Sequence, residues 1–418
     1  MSSQERYDWD AVFIEAASIA HGCKTKRELA SALKIPRRTL GEAMRRRGLT
    51  LLDLQVGNPS TVSGQSTLEK LRLQKQALQR DHDVLAKELG RREWWREILA
   101  EVASTLTPAY VKPPSVTSKA ERSQTGLLLV SDVHLGQLTP SEQVGMFGEY
   151  NSRIALARFE YTFKSFTSIA LHQPFGIDEV VVVFLGDLME HSHLRTGHEG
   201  FVDMNTVKQC LSIANAGIAS ISMLAGQFPR VRIECVPGNH GRVTADYKLC
   251  DPTDNFDYLA YHIMQMGLAG QPNVTFDIPE TWYVNFRVYQ HIFFAMHGEN
   301  IRSYSGFPWY GATRAIRKYV AMFRLTQKRM IRDRDPQTRE DWEECMIVPD
   351  YALLAHFHSD TTWDAPDIES FVNGSVPGIS KYGAKAVMTM NRPRQRMMFV
   401  HPKYGVTIRC PIDLDEVE

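Results

Sequence analysis

A chain of 418 residues with 48 basic and 48 acidic side chains carries no net charge. Its overall field therefore favours neither nucleic acid nor an anionic membrane, and any such preference has to be local. The length leaves room for two or more domains, while six cysteines without a CxxC pair, a polar N-terminus unlike a signal peptide and no apolar run near the ~20 residues of a membrane span predict a cytoplasmic protein with reduced thiols and no membrane partner.

The first element is a helix over 9–22, with Trp9, Val12, Phe13, Ala16 and Ala20 at helical spacing. Thr25 is placed to cap a second helix that buries Leu29 and Leu33. Pro36 opens a third, which buries Leu40 and Met44 and stops at Gly48. Helix, short turn and helix make a helix-turn-helix pattern, and nine Lys/Arg lie between positions 24 and 47 against Glu28 and Glu42. Arg37, Arg38, Arg45 and Arg46 are its candidate nucleic-acid contacts. The other reading is a small helical assembly module with a solvated basic face. Residues 1–53 are assigned to this module and 54–66, rich in Gly, Pro and Ser, to a linker. Over 67–106 a helical pattern places Leu71, Leu78 and Leu85 seven apart, interrupted by Lys75 and His82. It reads as a weak coiled coil, either a homodimer contact through 68–99 or a rigid spacer. Prolines mark 107–124 as a second linker.

From 125 to 418 strands alternate with helices. Buried-strand runs cover 126–132, 178–187, 231–239 and 291–298, and a last apolar run begins at Tyr351. Helices are predicted from Asn151 to Leu171, with Ala155, Phe159, Phe163, Phe166 and Ala170 inward, and over 206–226. The alternation predicts an α/β or mixed sandwich with ligands gathered at strand ends.

Each strand run ends in residues that bind metals: Asp132-x-His134, Gly186-Asp187, Asn239-His240, His297-Gly298 and His356-x-His358. Strand alternation would turn Asp132 with His134, and His356 with His358, to one face. Any one such piece is common by chance; five in order at five strand ends are not. Mixed nitrogen and oxygen donors suit Mn²⁺, Fe or Zn better than Ca²⁺ or Mg²⁺.

The series D-x-H, G-D, G-N-H, H-G, H-x-H resembles the calcineurin-like metallophosphoesterases over about 125–380. That resemblance implies a sandwich of two mixed sheets flanked by helices and a centre of two divalent cations, Mn²⁺ foremost with Fe, Zn or Mg as alternatives. One cation would take Asp132, His134, Asp187 and His358; the other Asp187, Asn239, His297 and His356, with Asp187 shared. A bridging hydroxide would attack the phosphorus in line, and His240 would face the leaving-group oxygen as general acid. Arg242, where the family pattern after G-N-H moves to Gly241-Arg242, could hold a non-bridging phosphate oxygen. "NGSV" at 373–376 fits the glycine-bearing turn found downstream in the family. Nucleases of the SbcD type usually carry His at the third position after the shared Asp. This chain has Glu190 there and His191 next, which argues for internal cleavage over end digestion. "YNSRIALARFE" and "GNHGR" are similar to members encoded by phages and mobile elements, which would place the protein in a host cytoplasm.

A basic, aromatic insert occupies 299–345. Between 301 and 334 nine Lys/Arg stand against Asp333 alone, with Tyr304, Phe307, Trp309 and Tyr310 ahead of the predicted helix. Arg314, Arg317, Lys318 and Arg324 are candidate contacts to DNA. Equally, the helix could pack its aromatics on the sandwich and leave a solvated basic face. The sequence therefore predicts a metal-dependent phosphodiesterase acting on DNA. The rival readings are a phosphomonoesterase such as a Ser/Thr protein phosphatase, or a non-catalytic scaffold on the same fold.

Overall fold

The computed structural model describes residues 8–56, 75, 79, 109–114, 123–145, 148–192, 198–244, 250–302, 308–332, 348–365, 368–378 and 391–417. The chain divides into two compact units, Met1–Ile98 and Leu99–Glu418.

In the first unit α1 (Trp9–Ile19) starts where Asp8 accepts from the Asp10 and Ala11 amides. Thr25 caps α2 (Lys26–Ala32), as the sequence predicts, and Glu28 reaches back to the Lys24 amide at 2.7 Å. α3 (Arg37–Arg46) buries Leu40 and Met44. A fourth helix, α4 (Leu51–Val56), carries the packing past position 54, where the sequence suggests a linker. The reason is Leu54, which is fully buried with Phe13, Ala16, Leu29, Ile35, Leu40 and Met44. Arg37, Arg38, Arg45 and Arg46 are all exposed. Arg47 has a structural partner instead: it pairs with Asp10 at 2.6 Å and lies over the Phe13 ring. The predicted 67–106 segment and its 68–99 dimer contact lie outside the described residues, apart from Lys75 and Gln79, both helical.

In the second unit, two mixed β-sheets are flanked by helices, as the sequence predicts. The first has strand order β11-β10-β1-β2-β3-β4: β1 (Ser123–Val130), β2 (Gly176–Phe184), β3 (Arg230–Cys235) and β4 (Val274–Asp277) run parallel, while β10 (Arg394–His401) joins β1 antiparallel and pairs with β11 (Gly405–Asp413). The second has the order β5-β6-β7-β9-β8, from β5 (Tyr283–Val288), β6 (His291–Met296), β7 (Tyr351–Leu354), β8 (Thr361–Ala365) and β9 (Ile368–Val372). β6, β7 and β9 are parallel to one another.

Period-2 alternation builds the layers. In β6, Phe293 and Ala295 meet Leu127, Leu129, Val181 and Val183 of the first sheet, whereas Phe294 and Met296 turn outward. That outer face is covered by α8 (Trp309–Arg332) through Ala312, Ile316, Tyr319 and Phe323. The first sheet is flanked by α5 (Ser152–Leu171), α6 (Thr206–Ala225) and α7 (Phe256–Gly267). All five predicted inward residues of α5 are buried. From the predicted 107–124 linker, Ala109 bonds to Gly267 O and Val111 to the Gln271 amide, so this stretch is held against the end of α7. Among the described residues no helix is long and apolar enough to cross a membrane, and the five described cysteines form no disulfide with one another.

Candidate metal centre

The strands stop earlier than the sequence suggests: β1 at Val130, β2 at Phe184, β3 at Cys235, β6 at Met296 and β7 at Leu354. The ligand-type residues all lie in the loops beyond these ends. Strand alternation is therefore not what turns Asp132 with His134, or His356 with His358, inward. Their backbones are left-handed, with φ of 48° at Asp132, 46° at His134, 72° at His356 and 55° at His358, and Asp187 has φ 53°. Such conformations cost a non-glycine residue about 1–2 kcal/mol each and gather at functional sites.

The loops hold each other. His134 and Leu135 amides bond to Asp187 and Leu188 carbonyls, and the Glu190 amide to Leu135 O, continuing the β1–β2 pairing. Gly186 (φ 83°) and Gly238 let the next two loops touch: a Cβ on Gly186 would lie 2.3 Å from the Gly238 nitrogen. Beneath them Asp257, fully buried, accepts from the Asp187, Leu188 and Gly238 amides. Burial and the Asp187 charge push its carboxyl up to about 6.

Among the described residues three donor groups converge; His134, Glu190 and His240 form one, and the other two hold the remaining ligand-type Asp and His residues. In the first of these two, Asp132, His134 and His358 bring their ligand atoms within 4.8 Å of one another. His134 Nε2 lies 3.1 Å from His358 Nε2, which is 3.4 Å from Asp132 Oδ1. Asp132 Oδ2 accepts from the Ser131 hydroxyl and the His356 amide, but Oδ1 is buried and accepts no hydrogen bond. With the His358 ring nitrogen at 3.4 Å, that buried carboxylate oxygen has room to take a cation.

In the second group Asp187, His297 and His356 converge. His297 Nδ1 donates to Leu185 O at 2.6 Å, and its Nε2 faces Asn239 Oδ1 at 3.0 Å, Asp187 Oδ2 at 3.2 Å and His356 Nδ1 at 3.3 Å. Burial works against a charge on His297, but the Asp187 carboxylate prevails and raises it to about 10. Asp187 is likewise held well below the carboxylate range: burial opposes ionisation, and the His297, His240 and His134 rings outweigh it. His356 is pushed down to about 3 by burial and the His297 charge. One proton thus sits among donors that suit a divalent cation. His134 Nε2 also lies 4.0 Å from Asp187 Oδ2, so Asp187 stands between the groups. The donors fit two cations; their nitrogen and oxygen chemistry does not select one metal.

His240 sits beside this centre. Its amide donates to Asp187 Oδ1 at 2.7 Å and its Nδ1 to Glu190 O at 3.0 Å. Burial lowers its affinity for a proton, and the Glu190 and Asp187 carboxylates raise it above the ordinary histidine value. Arg242 is half-buried, and its Nε makes no hydrogen bond.

Sequence reasoning misses two roles. It reads Glu190 only as a missing histidine, whereas its carboxylate accepts from His134 Nδ1 at 2.7 Å and lies 3.4 Å from His240 Nδ1. Asp257 has one signal in the sequence, an acid two residues after Asn255 at a helix start. His191 is buried against Phe256, and His193 and the side chain of His198 lie outside the described residues. In the insert, Trp309 and Tyr310 belong to the first turn of α8 and do not precede it. They are 52% and 82% exposed, and Arg314, Arg317, Lys318 and Arg324 are exposed too. Tyr304 and Phe307 lie outside the described residues.

Two mixed sheets with the D-x-H, G-D, G-N-H, H-G and H-x-H pieces converging beyond their strand ends decide the architecture. It is a two-sheet mixed sandwich flanked by helices, consistent with the calcineurin-like metallophosphoesterase fold. No family model matches the sequence, and no curated protein does. Among solved structures, an archaeal phosphodiesterase is similar over 69% of this chain and 99% of its own, at 8% identity and a TM-score of 0.31. Vps29 from Entamoeba histolytica, complexed with zinc, is similar over 69% and 99%, at 9% identity and a TM-score of 0.27.

Proposed function

We propose that the protein is a dinuclear metal-dependent phosphodiesterase that cleaves DNA internally. The observation that carries the hydrolytic reading is the pair of donor groups about Asp187, with a buried Asp132 Oδ1 facing the His358 and His134 rings in one and His297 Nε2 facing three donors in the other. Asp132, His134, Asp187 and His358 would hold one cation, and Asp187, Asn239, His297 and His356 the second, with Mn²⁺ the first choice. When bound, such cations supply an acidified water and neutralise charge on the phosphate oxygens.

The chain's own residues do the rest. Glu190 accepts the His134 Nδ1 proton, which fixes that ring's tautomer and leaves Nε2 as a ligand atom. His240 keeps its Nδ1 proton on Glu190 O and presents Nε2 to the leaving-group oxygen as general acid. Arg242 holds a non-bridging phosphate oxygen. DNA is the substrate we favour because α8 carries Tyr310, Arg314, Arg317, Lys318 and Arg324 along one solvent-facing stripe, with its apolar stripe already packed on the sheet. The exposed arginines of α3 would raise local DNA concentration.

The test is hydrolysis with Mn²⁺ of single-stranded DNA, linear duplex, covalently closed circles, bis-p-nitrophenyl phosphate and p-nitrophenyl phosphate. Cleaved circles are expected. Circles that survive while linear DNA of equal sequence disappears refute internal cleavage, and hydrolysis of the monoester alone refutes the diesterase reading.

A further inference from the structure

We propose that Asp257 is a positioning residue for the second cation: it fixes the separation of the two loops that carry Asp187 and Asn239. These loops leave different strands, β2 and β3, and their backbones approach closely at Gly186, Asp187 and Gly238. A Cβ on Gly238 would sit 2.2 Å from the Asp187 nitrogen. Apart from the bond from the His240 amide to Asp187 Oδ1, their spacing depends on what holds them from below.

Asp257 does that with both oxygens. Oδ2 accepts from the Asp187 amide at 2.9 Å and the Gly238 amide at 2.9 Å, and Oδ1 from the Leu188 amide at 3.1 Å. The side chain stands in the first turn of α7, yet the helix start does not depend on it. Asn255 is the cap there, accepting from the Asp257 amide at 2.8 Å. These three amides, all in the ligand loops, are what the Asp257 carboxylate holds. Asn255 adds a fourth tie, its Nδ2 donating to Gly238 O at 2.8 Å. Gly238 is thus gripped by its N–H and its C=O at once, immediately before Asn239.

Only a carboxylate can do this. Three N–H donors need acceptors on both oxygens, and an amide in the same place would turn an NH₂ toward at least one of them. The proposal rests on the dinuclear reading but not on which ester is cleaved. Asp187 and Asn239, which would both hold the second cation, lie on the two clamped loops, whereas of the residues that would hold the first only Asp187 does.

The test is Mn²⁺ titration of the metal-free full-length chain by calorimetry, with Asn239→Ala and His358→Ala identifying which step belongs to which donor group. Asp257→Asn is isosteric. It is expected to weaken the Asn239-dependent step about 10–100-fold, the usual effect of losing an outer partner of a ligand, and to weaken the His358-dependent step, which shares only Asp187 with the clamped loops, by less. Asn255→Asp keeps the cap and loses the donor to Gly238 O, so it should weaken the same step in a chain whose helix start is intact. Equal weakening of both steps, or wild-type binding in a folded Asp257→Asn, overturns the proposal. If Asp257→Asn does not fold, wild-type binding by Asn255→Asp overturns it. A wild-type chain that takes up no cation overturns the dinuclear reading as well.

Discussion

Metal uptake should expel a proton from His297, and the structure sets the size of the effect. In the metal-free chain His297 donates from Nδ1 to Leu185 O, while Nε2 faces Asp187 and Asn239 and is raised to about 10 from an ordinary 6.5. At neutral pH it carries a proton on the atom a cation needs. His356, pushed down to about 3, is already neutral and adds none. Binding of the second cation near pH 7.5 should therefore release about one proton from this pair, and affinity should rise about tenfold per pH unit until His297 titrates. Stability follows the same group with the opposite sign. Its folded value is raised, so its stabilisation of the metal-free fold is complete below about 6.5 and is lost as pH rises through about 10. Calorimetry in two buffers of different ionisation enthalpy counts the protons. No proton release at that step, with affinity flat from about pH 7 to 9, would show His297 neutral and refute the reasoning.

Asp187→Ala should lose both cations and all hydrolysis; full metal content by elemental analysis would remove Asp187 from its shared place. His240→Ala should retain both cations and lose about 10²–10⁴ in rate, the range of a general acid, and metal loss would make it a ligand. Glu190→Gln removes the negative charge that supports the His240 proton, so the alkaline limb of the rate profile should move to lower pH; an unmoved limb would leave Glu190 a structural residue. Replacing Arg314, Arg317 and Lys318 by Gln should reduce DNA cleavage and spare bis-p-nitrophenyl phosphate. For every phosphate that the variant no longer neutralises, the salt slope of DNA binding should flatten by roughly 0.7–0.9, and unchanged cleavage and slope would leave α8 as packing only.

The elements are legible where side-chain period and burial agree. The inward Phe159, Phe163 and Phe166 of α5 and the Thr25 cap of α2 follow from local rules alone. So does the order of ligand-type residues, since each follows an apolar strand. Three things are not. Left-handed backbone at Asp132 or His356 has no local sign, because neither residue demands it and the neighbouring loops impose it. Glu190 and Asp257 act on partners far along the chain, through hydrogen bonds that no periodicity encodes. For α8 the sequence offers packing or basic surface as rivals, and the helix has both, on opposite faces.

The bent backbones have a consequence for how this protein weathers its surroundings. Asp132, His134, Asp187, His191, His356 and His358 all hold conformations that glycine would adopt freely. Each costs about 1–2 kcal/mol against a total stability that in most domains is only about 5–15 kcal/mol. Cations that bind only the folded chain offset that cost by mass action. Glycine at Asp132, His134, Asp187, His356 or His358 would relieve strain in the metal-free chain and at the same time remove a donor from the centre.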